Sequence, residues 1–337
     1  MEYKMKELKK IAFVGFWKGF DVEQNLIFKI LSKHYDLKIC DRRSADYSIC
    51  SLYNDDFIDA TGIRIFYTAE AVAPDFTLFD YFIGFDELKF DDRYVRVPNY
   101  VMNLKYQDDI NLLMRRHKDR HHDREKFCCW VCSNGSGDET RDVIFDKLSN
   151  YKKVDSGGRY RNNVGCDGGV CDKRAFQENY KFSLAVENTS YRGYTTEKLV
   201  EAFAAGGIPI YWGDPDVTKE FNPKAFVNLM DYSSIDEGIE VVKKIDQDDE
   251  LYNEMVSQRA LINQNSMEKS IDELEAFLIN IFDQPIKEAY RRPHGQTAIW
   301  VNKMAQAGIM KRNTDKNGWA LRKLLQLAKG LINWRNN

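Results

Sequence analysis

Charged and amide side chains separate two apolar runs in the stretch FSLAVENTSYRGYTTEKLVEAFAAGGIPIYWGD, residues 182–214. Glu187 and Asn188 close the first run, and Glu197 and Lys198 open an amphipathic segment after a loop of hydroxyl residues. In parallel α/β sheets, ligands bind beyond the carboxyl ends of the strands, where the next helices begin. Free amide hydrogens at a helix start attract anions, and Lys198 adds a full positive charge. The segment therefore predicts a phosphate site without a glycine-rich loop.

Three side chains here favour a sugar nucleotide as the ligand. Glu197 would repel a phosphate but accepts hydrogen bonds from ribose or sugar hydroxyls, Tyr194 offers a ring and a hydroxyl, and Asn188 can donate and accept. Structural roles remain open from these residues alone. In that case Glu197 caps the helix dipole, Lys198 is solvated and the tyrosine packs.

A second cation, Arg141, opens the helix predicted after the loop SNGSGDET, which begins at Ser133 and Asn134. Arginine binds diphosphates in a bidentate manner, so we expect Arg141 to reach the same crevice from a neighbouring strand–helix loop. A salt bridge to Asp138 or Glu139 is the alternative.

The first half of the chain offers one carboxylate in a comparable place. Glu70 follows the apolar run RIFYT, residues 64–68, and so lies at the carboxyl end of a predicted strand. A hydroxyl group that attacks a sugar carbon needs a general base, and a glutamate can supply it. Asp75 is a competing candidate, and a structural role for Glu70 is also open.

The length of the chain and the alternation of strand-like and helical segments predict two α/β domains. A chain of 337 residues, 43% hydrophobic and 30% charged, exceeds what one core usually organises. Strand-like runs alternate with helical segments, and this alternation indicates parallel sheets. The first helix is expected over 21–35. We expect an N-terminal domain with its connector over 1–125, a C-terminal nucleotide-binding domain over 126–285 and a basic tail over 286–337. No signal peptide or membrane span is predicted.

Metal-binding patterns are weak. Seven cysteines include CCWVC, residues 128–132, inside a strand-like run where cysteine packs as a small hydrophobic residue, so reduced thiols and a cytoplasmic location are favoured over zinc. Asp214 and Asp216 imitate a metal-binding DxD but follow a strand, which favours a turn. His117 and His121 have the spacing of a helical metal pair, within a polar connector. We predict no metal.

The stretch 182–217 resembles the donor-binding signature of the α1,3-fucosyltransferases of glycosyltransferase family 10, and FNPKAFVNL continues the likeness. Residues 64–98, RIFYTAEAVAPDFTLFDYFIGFDELKFDDRYVRVP, resemble the acceptor-domain segment of its bacterial members. In all, the resemblance runs from about residue 63 to 280.

The resemblance implies a GT-B fold, two Rossmann-like domains facing a cleft, and GDP-β-L-fucose as the donor. It implies inversion to an α-fucoside, usually on O3 of N-acetylglucosamine in a lactosamine-type acceptor. Glu70 matches the general base, Arg141 and Lys198 the diphosphate ligands, Glu197 the ribose-contacting acid, and Asn188 and Tyr194 donor-site residues. We add Ser133, Asn134 and Glu187 as donor-site candidates. Close bacterial relatives read TGEN at the base, and the TAEA here lacks that asparagine.

The predicted phosphate site does not by itself settle the function. A transferase with another nucleotide sugar or an α1,4 linkage would keep this site, and so would a non-catalytic sugar-nucleotide-binding protein.

Residues 286–337 carry eleven basic against two acidic residues. Because residues 317–335 form a basic amphipathic pattern ending in tryptophan, we expect contact with the anionic inner face of a membrane rather than with nucleic acid, with helix docking on the body as the alternative.

Overall fold

The computed structural model describes residues 6–102, 107–115 and 124–308, which form two parallel sheets and the helices around them. His117, His121 and the segment 317–335 lie outside the described residues. In the six-stranded first sheet the strand order is β2-β1-β3-β4-β5-β6. Its strands are β1 (Leu8–Val14), β2 (Asp36–Ile39), β3 (Tyr47–Cys50), β4 (Ile63–Tyr67), β5 (Tyr81–Gly84) and β6 (Tyr94–Arg96).

The second sheet has five strands in the order β11-β10-β9-β7-β8. Its strands are β7 (Lys126–Trp130), β8 (Val154–Ser156), β9 (Tyr180–Val186), β10 (Ile208–Trp212) and β11 (Val227–Asn228). The inner strands β3, β4, β9 and β10 are almost entirely buried, as expected for sheets covered on both faces, whereas the edge strand β2 is largely exposed. Cys128 and Cys129 are fully buried in β7, as predicted for core thiols.

The helices are α1 (Leu26–His34), α2 (Asn99–Met102), α3 (Gln107–Arg115), α4 (Thr140–Tyr151), α5 (Lys173–Gln177), α6 (Glu197–Ala204), α7 (Ile235–Gln247), α8 (Asp249–Val256), α9 (Ser266–Asp283), α10 (Ile286–Ala289) and α11 (295–308). Two parallel α/β sheets with this helix arrangement confirm the predicted GT-B class. Among the described residues, no helix is both long and apolar enough to cross a bilayer.

The first helix begins later than expected. Asp21 Oδ1 accepts the backbone N–H groups of Glu23 and Gln24, and Asn25 caps α1 by accepting from Ile27 N. Local side-chain bonds of this kind compete with helical hydrogen bonds. Residues 15–25 therefore form a loop at the carboxyl end of β1 instead of the first turns of a helix.

Helix α9 returns from the second sheet to the first. Leu278 and Phe282 are fully buried in one apolar cluster with first-sheet residues, and the ring of Phe282 stacks on that of Tyr47 at 4.0 Å. Loops carrying Phe57, Phe76 and Phe79 cover the opposite face of this sheet. The domain limits of the sequence analysis stay predictions, but the segment up to 285 contains a helix that packs on the first sheet.

We expected residues 286–292 in the tail, but hydrogen bonds to Asp80 hold this segment against the first domain. This carboxylate is fully buried and accepts from the backbone N–H groups of Arg64, Arg291 and Arg292 at 2.7–2.8 Å. It also forms an ion pair with the buried guanidinium of Arg292. A buried carboxylate needs such partners to offset the loss of hydration.

We therefore expect Asp80→Ala to destabilise the protein by about 3–5 kcal/mol, since it leaves the Arg292 charge buried and unpaired. Asp92→Ala is the matched control, because Asp92 pairs with Arg291 at 2.6 Å while both side chains are 28% exposed. That pair should contribute at most about 1 kcal/mol. Urea unfolding measures both variants, and equal losses of stability would show that Asp80 is no anchor.

Candidate active site

The two sheets meet where the carboxyl end of β5 contacts the loop after β9. Tyr191 donates to Asp86 Oδ1 at 2.8 Å, and the ring of Tyr194 lies 5.3 Å from that of Phe85. Gly193 has φ +77°, and a Cβ there would lie 2.5 Å from the carbonyl oxygen of Phe85. Only glycine fits this close approach. The loop carrying Tyr194 is thus pressed against the first domain.

Glu187 organises the loop from within. It ends β9, is fully buried, and accepts from Thr196 N at 2.8 Å, from Thr196 Oγ1 at 2.7 Å and from Lys198 Nζ at 3.0 Å. Burial raises the pKa of Glu187, and the Lys198 charge opposes that shift. We expected Glu187 among the donor ligands; in the structure its carboxylate is occupied by Thr196 and Lys198, so it positions the helix start.

Lys198 uses its three ammonium protons within this cluster. Besides Glu187, it donates to Thr196 Oγ1 at 3.0 Å and to Glu197 Oε1 at 3.4 Å. Burial alone would lower its pKa, but the Glu187 and Glu197 carboxylates raise it well above the usual value. The ammonium is therefore charged at every physiological pH. A phosphate must replace one of its partners, and the longest bond is the one to Glu197.

Arg141 lies deeper than the sequence suggested, with 1% of its surface exposed. Its Nη1 donates to Asn188 Oδ1 at 2.9 Å, and its Nη2 donates to the Asn134 carbonyl at 2.6 Å and to Cys132 Sγ at 3.2 Å. These bonds use three of the five N–H groups of the guanidinium. The alternative pairing with Asp138 or Glu139 is not among these bonds; Asp138 instead donates its backbone N–H to Asn188 O at 2.8 Å.

Gly137 explains how Arg141 is covered. A Cβ at this position would lie 2.1 Å from Arg141 Nη1, so the loop backbone lies directly over the guanidinium. Ser133 and Asn134, predicted to bind the donor, are exposed in this same loop. Arg141, Asn188 and the 133–138 loop thus form one unit at the carboxyl ends of β7 and β9.

Glu70 lies on the first-domain side, as predicted for a residue following β4. Its Oε1 accepts from the Tyr53 hydroxyl at 3.2 Å, and its backbone N–H donates to Thr68 Oγ1. Burial and the Glu70 charge raise the pKa of Tyr53 to about 12, so this hydroxyl stays protonated and donates. The competing Asp75 is committed to a turn, accepting from the backbone and hydroxyl of Thr77.

Tyr194 links the two halves of the site electrostatically. Its pKa is raised by burial first, then by the charges of Glu187, Glu70 and Glu197, while Lys198 opposes them. The two domains also share a cavity, which is lined by Ala69, the residue before Glu70, and by Thr196 and Glu197 at the start of α6. The structure thus brings the segment that carries Glu70 and the start of α6 to one cavity.

Asp214 and Asp216 form a turn, as favoured over a metal-binding pair. Asp214 accepts from Gly193 N, Asp216 N and Thr195 Oγ1 at 2.8–3.0 Å, and Asp216 pairs with Arg192 at 3.0 Å. Among residues in the described ranges, no cluster of three His, Cys, Asp or Glu side chains could hold a metal ion. Sequence reasoning missed the structural roles of Asp214 and Thr196. The available signal was their position, with Asp214 two residues after β10 and Thr196 directly before α6.

Two family models match the chain. The N-terminal domain of the α-(1,3)-fucosyltransferase FucT matches residues 11–103, and the C-terminal region of glycosyltransferase family 10 (fucosyltransferase) matches residues 121–280. This chain belongs to glycosyltransferase family 10.

Individual members show the same relationship. The chain is 32% identical over 292 residues to the α-(1,3)-fucosyltransferase FucT of Helicobacter pylori, covering 75% of this chain and 60% of that protein. It is 30% identical over 133 residues to the human 4-galactosyl-N-acetylglucosaminide 3-α-L-fucosyltransferase 9, covering 38% of this chain and 36% of that protein. The chain thus spans less than two thirds of the length of these curated relatives.

Solved structures of the family share the fold along nearly the whole chain. A crystal structure of an α1,3-fucosyltransferase superposes with a TM-score of 0.72 at 28% identity, covering 88% of this chain and 95% of that one. One determined with GDP-fucose gives a TM-score of 0.69 at 29% identity, covering 85% and 94%.

The buried Glu187–Lys198 pair predicts a pH-dependent defect when it is broken. In Lys198→Met, Glu187 loses its countercharge, and its native pKa moves further above the unfolded value of about 4.3. A raised carboxyl pKa means that the native state binds protons more tightly than the unfolded state, so stability falls as pH rises above that value. We expect a deficit of about 3–5 kcal/mol at neutral pH that shrinks towards pH 4.

Glu187→Gln/Lys198→Met serves as the control, because it removes both charges and should abolish the pH dependence of the deficit. Denaturant unfolding of wild type, single and double variants between pH 4 and 8 provides the measurement. A deficit in Lys198→Met that does not change with pH would contradict the assigned pairing.

Proposed function

We propose that the chain is an inverting α1,3-fucosyltransferase. It moves L-fucose from GDP-β-L-fucose to O3 of N-acetylglucosamine in a lactosamine-type glycan, such as a lipopolysaccharide O-antigen or a related surface glycan. Family membership and the printed activities of the relatives support this function. The observation that carries it is the position of Glu70, which Tyr53 holds next to the cavity lined by Ala69, Thr196 and Glu197.

In this proposal Glu70 removes the proton from the acceptor O3, which attacks the anomeric carbon of fucose. The bond between that carbon and the β-phosphate oxygen breaks on the opposite side, and GDP departs. One displacement inverts the β-linked donor to an α-fucoside. The proton ends on Glu70, and the bonding electrons end on GDP.

Lys198 and Arg141 stabilise the charge that grows on the diphosphate. Lys198 can give up its long hydrogen bond to Glu197 and donate to a phosphate oxygen instead. The Glu197 carboxylate is then free to accept hydrogen bonds from the ribose hydroxyls. For Arg141, two N–H groups remain after its three bonds to the 132–134 loop and Asn188. Preorganised charges of this kind contribute about 3–4 kcal/mol each to transition states elsewhere. We therefore propose that no metal is required.

Glu70→Gln tests the assigned base. We expect turnover to fall at least ~100-fold, the usual scale of general-base catalysis, while GDP-fucose affinity stays near wild type. Asp75→Asn is the matched control, since this carboxylate only caps a turn, and it should retain turnover. Initial rates of fucosyl transfer and calorimetric donor titrations supply the two readouts. Glu70→Gln with most of its wild-type rate would remove Glu70 from the mechanism.

We further propose that the protein works in the cytoplasm, bound peripherally to the inner face of the plasma membrane through residues 317–335. Support comes from the basic, amphipathic sequence of that segment. Helix α11, which precedes it, exposes Ile299, Trp300 and Met304 by half or more of their surface. An apolar face beside basic residues suits an anionic bilayer surface.

Vesicle sedimentation tests the membrane proposal. The full chain should pellet with anionic vesicles and be released by high salt, whereas a chain ending at residue 308 should stay in solution. Ending at 308 keeps Arg292 on Asp80 and so preserves the body. A full-length variant with Arg322, Lys323 and Lys329 changed to Glu should also stay in solution. If either variant pellets as fully as wild type, the segment is no membrane anchor.

A further inference from the structure

The carboxylate of Glu70 has one engaged oxygen and one free oxygen. The Tyr53 hydroxyl donates to Oε1 at 3.2 Å. Ala69 and Ala71, the neighbours of Glu70 along the chain, carry no polar side chain that could do the same. Within the ranges that the structure describes, the second oxygen, Oε2, accepts no hydrogen bond, and its surface is not buried. Oε2 is therefore the oxygen that a ligand can reach.

The backbone on either side of Glu70 is fixed separately. Asn99, which is buried, donates its side-chain N–H to the Ala69 carbonyl at 2.9 Å. The Glu70 N–H donates to the buried hydroxyl of Thr68 at 3.3 Å. These bonds place the Cα of Glu70, but a glutamate side chain still has several rotamers beyond it. The bond from Tyr53 limits those rotamers.

Tyr53 is itself held in place while its hydroxyl stays available. Its backbone N–H donates to the Gly15 carbonyl at 2.8 Å, and its ring lies 5.6 Å from the ring of Trp17, with the two planes at 75°. Burial and the Glu70 charge raise the pKa of Tyr53 to about 12. The phenol therefore donates a hydrogen bond but does not give up its proton.

From this geometry we infer that Tyr53 is a positioning residue for the proposed base and that Glu70 Oε2 is the atom that takes the acceptor proton. The inference rests on the proposed fucosyl transfer and adds a residue and an atom to it. The proton moves to Oε2 while the acceptor oxygen bonds to the anomeric carbon, and GDP leaves with the electrons of the broken bond. Tyr53 keeps its own proton throughout.

The benefit of the Tyr53 bond is alignment. A hydrogen bond to Oε1 withdraws some negative charge from the carboxylate and so weakens it slightly as a base. Misplacement of a reacting group by about 1 Å can cost about 10²-fold in rate, which is the larger effect. At 3.2 Å the bond is long for a hydroxyl donor, and catalytic hydrogen bonds of this kind shorten when the substrate binds.

Tyr53→Phe tests the inference through the separation of kcat from KM. Tyr53 is 44% exposed, so loss of its hydroxyl changes little packing. We expect kcat for fucosyl transfer to fall about tenfold, equivalent to about 1.4 kcal/mol, while the acceptor KM and the GDP-fucose affinity stay near wild type. A higher acceptor KM with normal kcat would mean that Tyr53 binds the acceptor itself, and the inference would be wrong.

The double variant Glu70→Ala/Tyr53→Phe distinguishes action through Glu70 from an independent role. Once the carboxylate is absent, loss of the Tyr53 hydroxyl should cost nothing further, so the double variant and Glu70→Ala should have equal single-turnover rates. A second tenfold loss in the double variant would show that Tyr53 acts on the substrate or on the fold, and would refute the positioning role.

Tyr35→Phe is the matched control. The Tyr35 hydroxyl also donates to a carboxylate, Asp283 Oδ1, at 2.7 Å, but Tyr35 directly precedes β2 and so lies at the sheet edge opposite the cleft. It should keep the wild-type kcat when all rates are measured well below the melting temperature of each variant. Wild-type kcat in Tyr53→Phe overturns the inference alone, whereas wild-type turnover in Glu70→Gln would overturn the proposed base as well.

Discussion

The buried carboxylate of Glu187 is the constraint on which the rest of the site depends. A fully buried glutamate is tolerated only with strong partners, and here Thr196 and Lys198 supply them. Those partners lie at the start of α6, so the pairing fixes where that helix begins and where the Lys198 ammonium lies. Asp214 fixes the middle of the same loop, because it accepts hydrogen bonds from Gly193 N and Thr195 Oγ1. Two buried carboxylates therefore fix the middle and the end of one polar loop.

The cleft also needs its two walls at a constant distance, and several contacts between the domains provide that. Arg96 and Tyr100 of the first domain both bind Glu220 of the second, at 2.7 and 2.9 Å. Helix α9 crosses back and buries Phe282 against the first sheet, and Arg292 follows it onto Asp80. In the proposed reaction, a base on one sheet and cations on the other can act on the same bond only if these contacts hold.

Local patterns predicted what depends on neighbours along the chain. Apolar runs predicted the strands, and residues directly after them, such as Glu70 and Asn188, could be assigned to the cleft because parallel strands end at one edge. Alternation predicted two parallel α/β domains, and the family resemblance implied the GT-B class. The late start of α1 was missed because the apolar periodicity continues through residues 21–25. There, the backbone N–H groups of Glu23 and Gln24 donate to Asp21 and prevent a helical turn. Arg141 was expected in an open crevice, whereas Gly137 and Asn134 cover it. Partners distant in sequence, such as Tyr53 for Glu70 and Arg292 for Asp80, leave no local pattern at all.

The central claim is that a carboxylate on the first domain and cations on the second carry out one displacement at the anomeric carbon of fucose. Proton NMR of the product formed from GDP-β-L-fucose and a lactosamine acceptor tests it most directly. The account predicts one fucose in α linkage on O3 of N-acetylglucosamine, formed also in the presence of EDTA. A β-linked product, release of free fucose without transfer, or transfer only from another nucleotide sugar would contradict it.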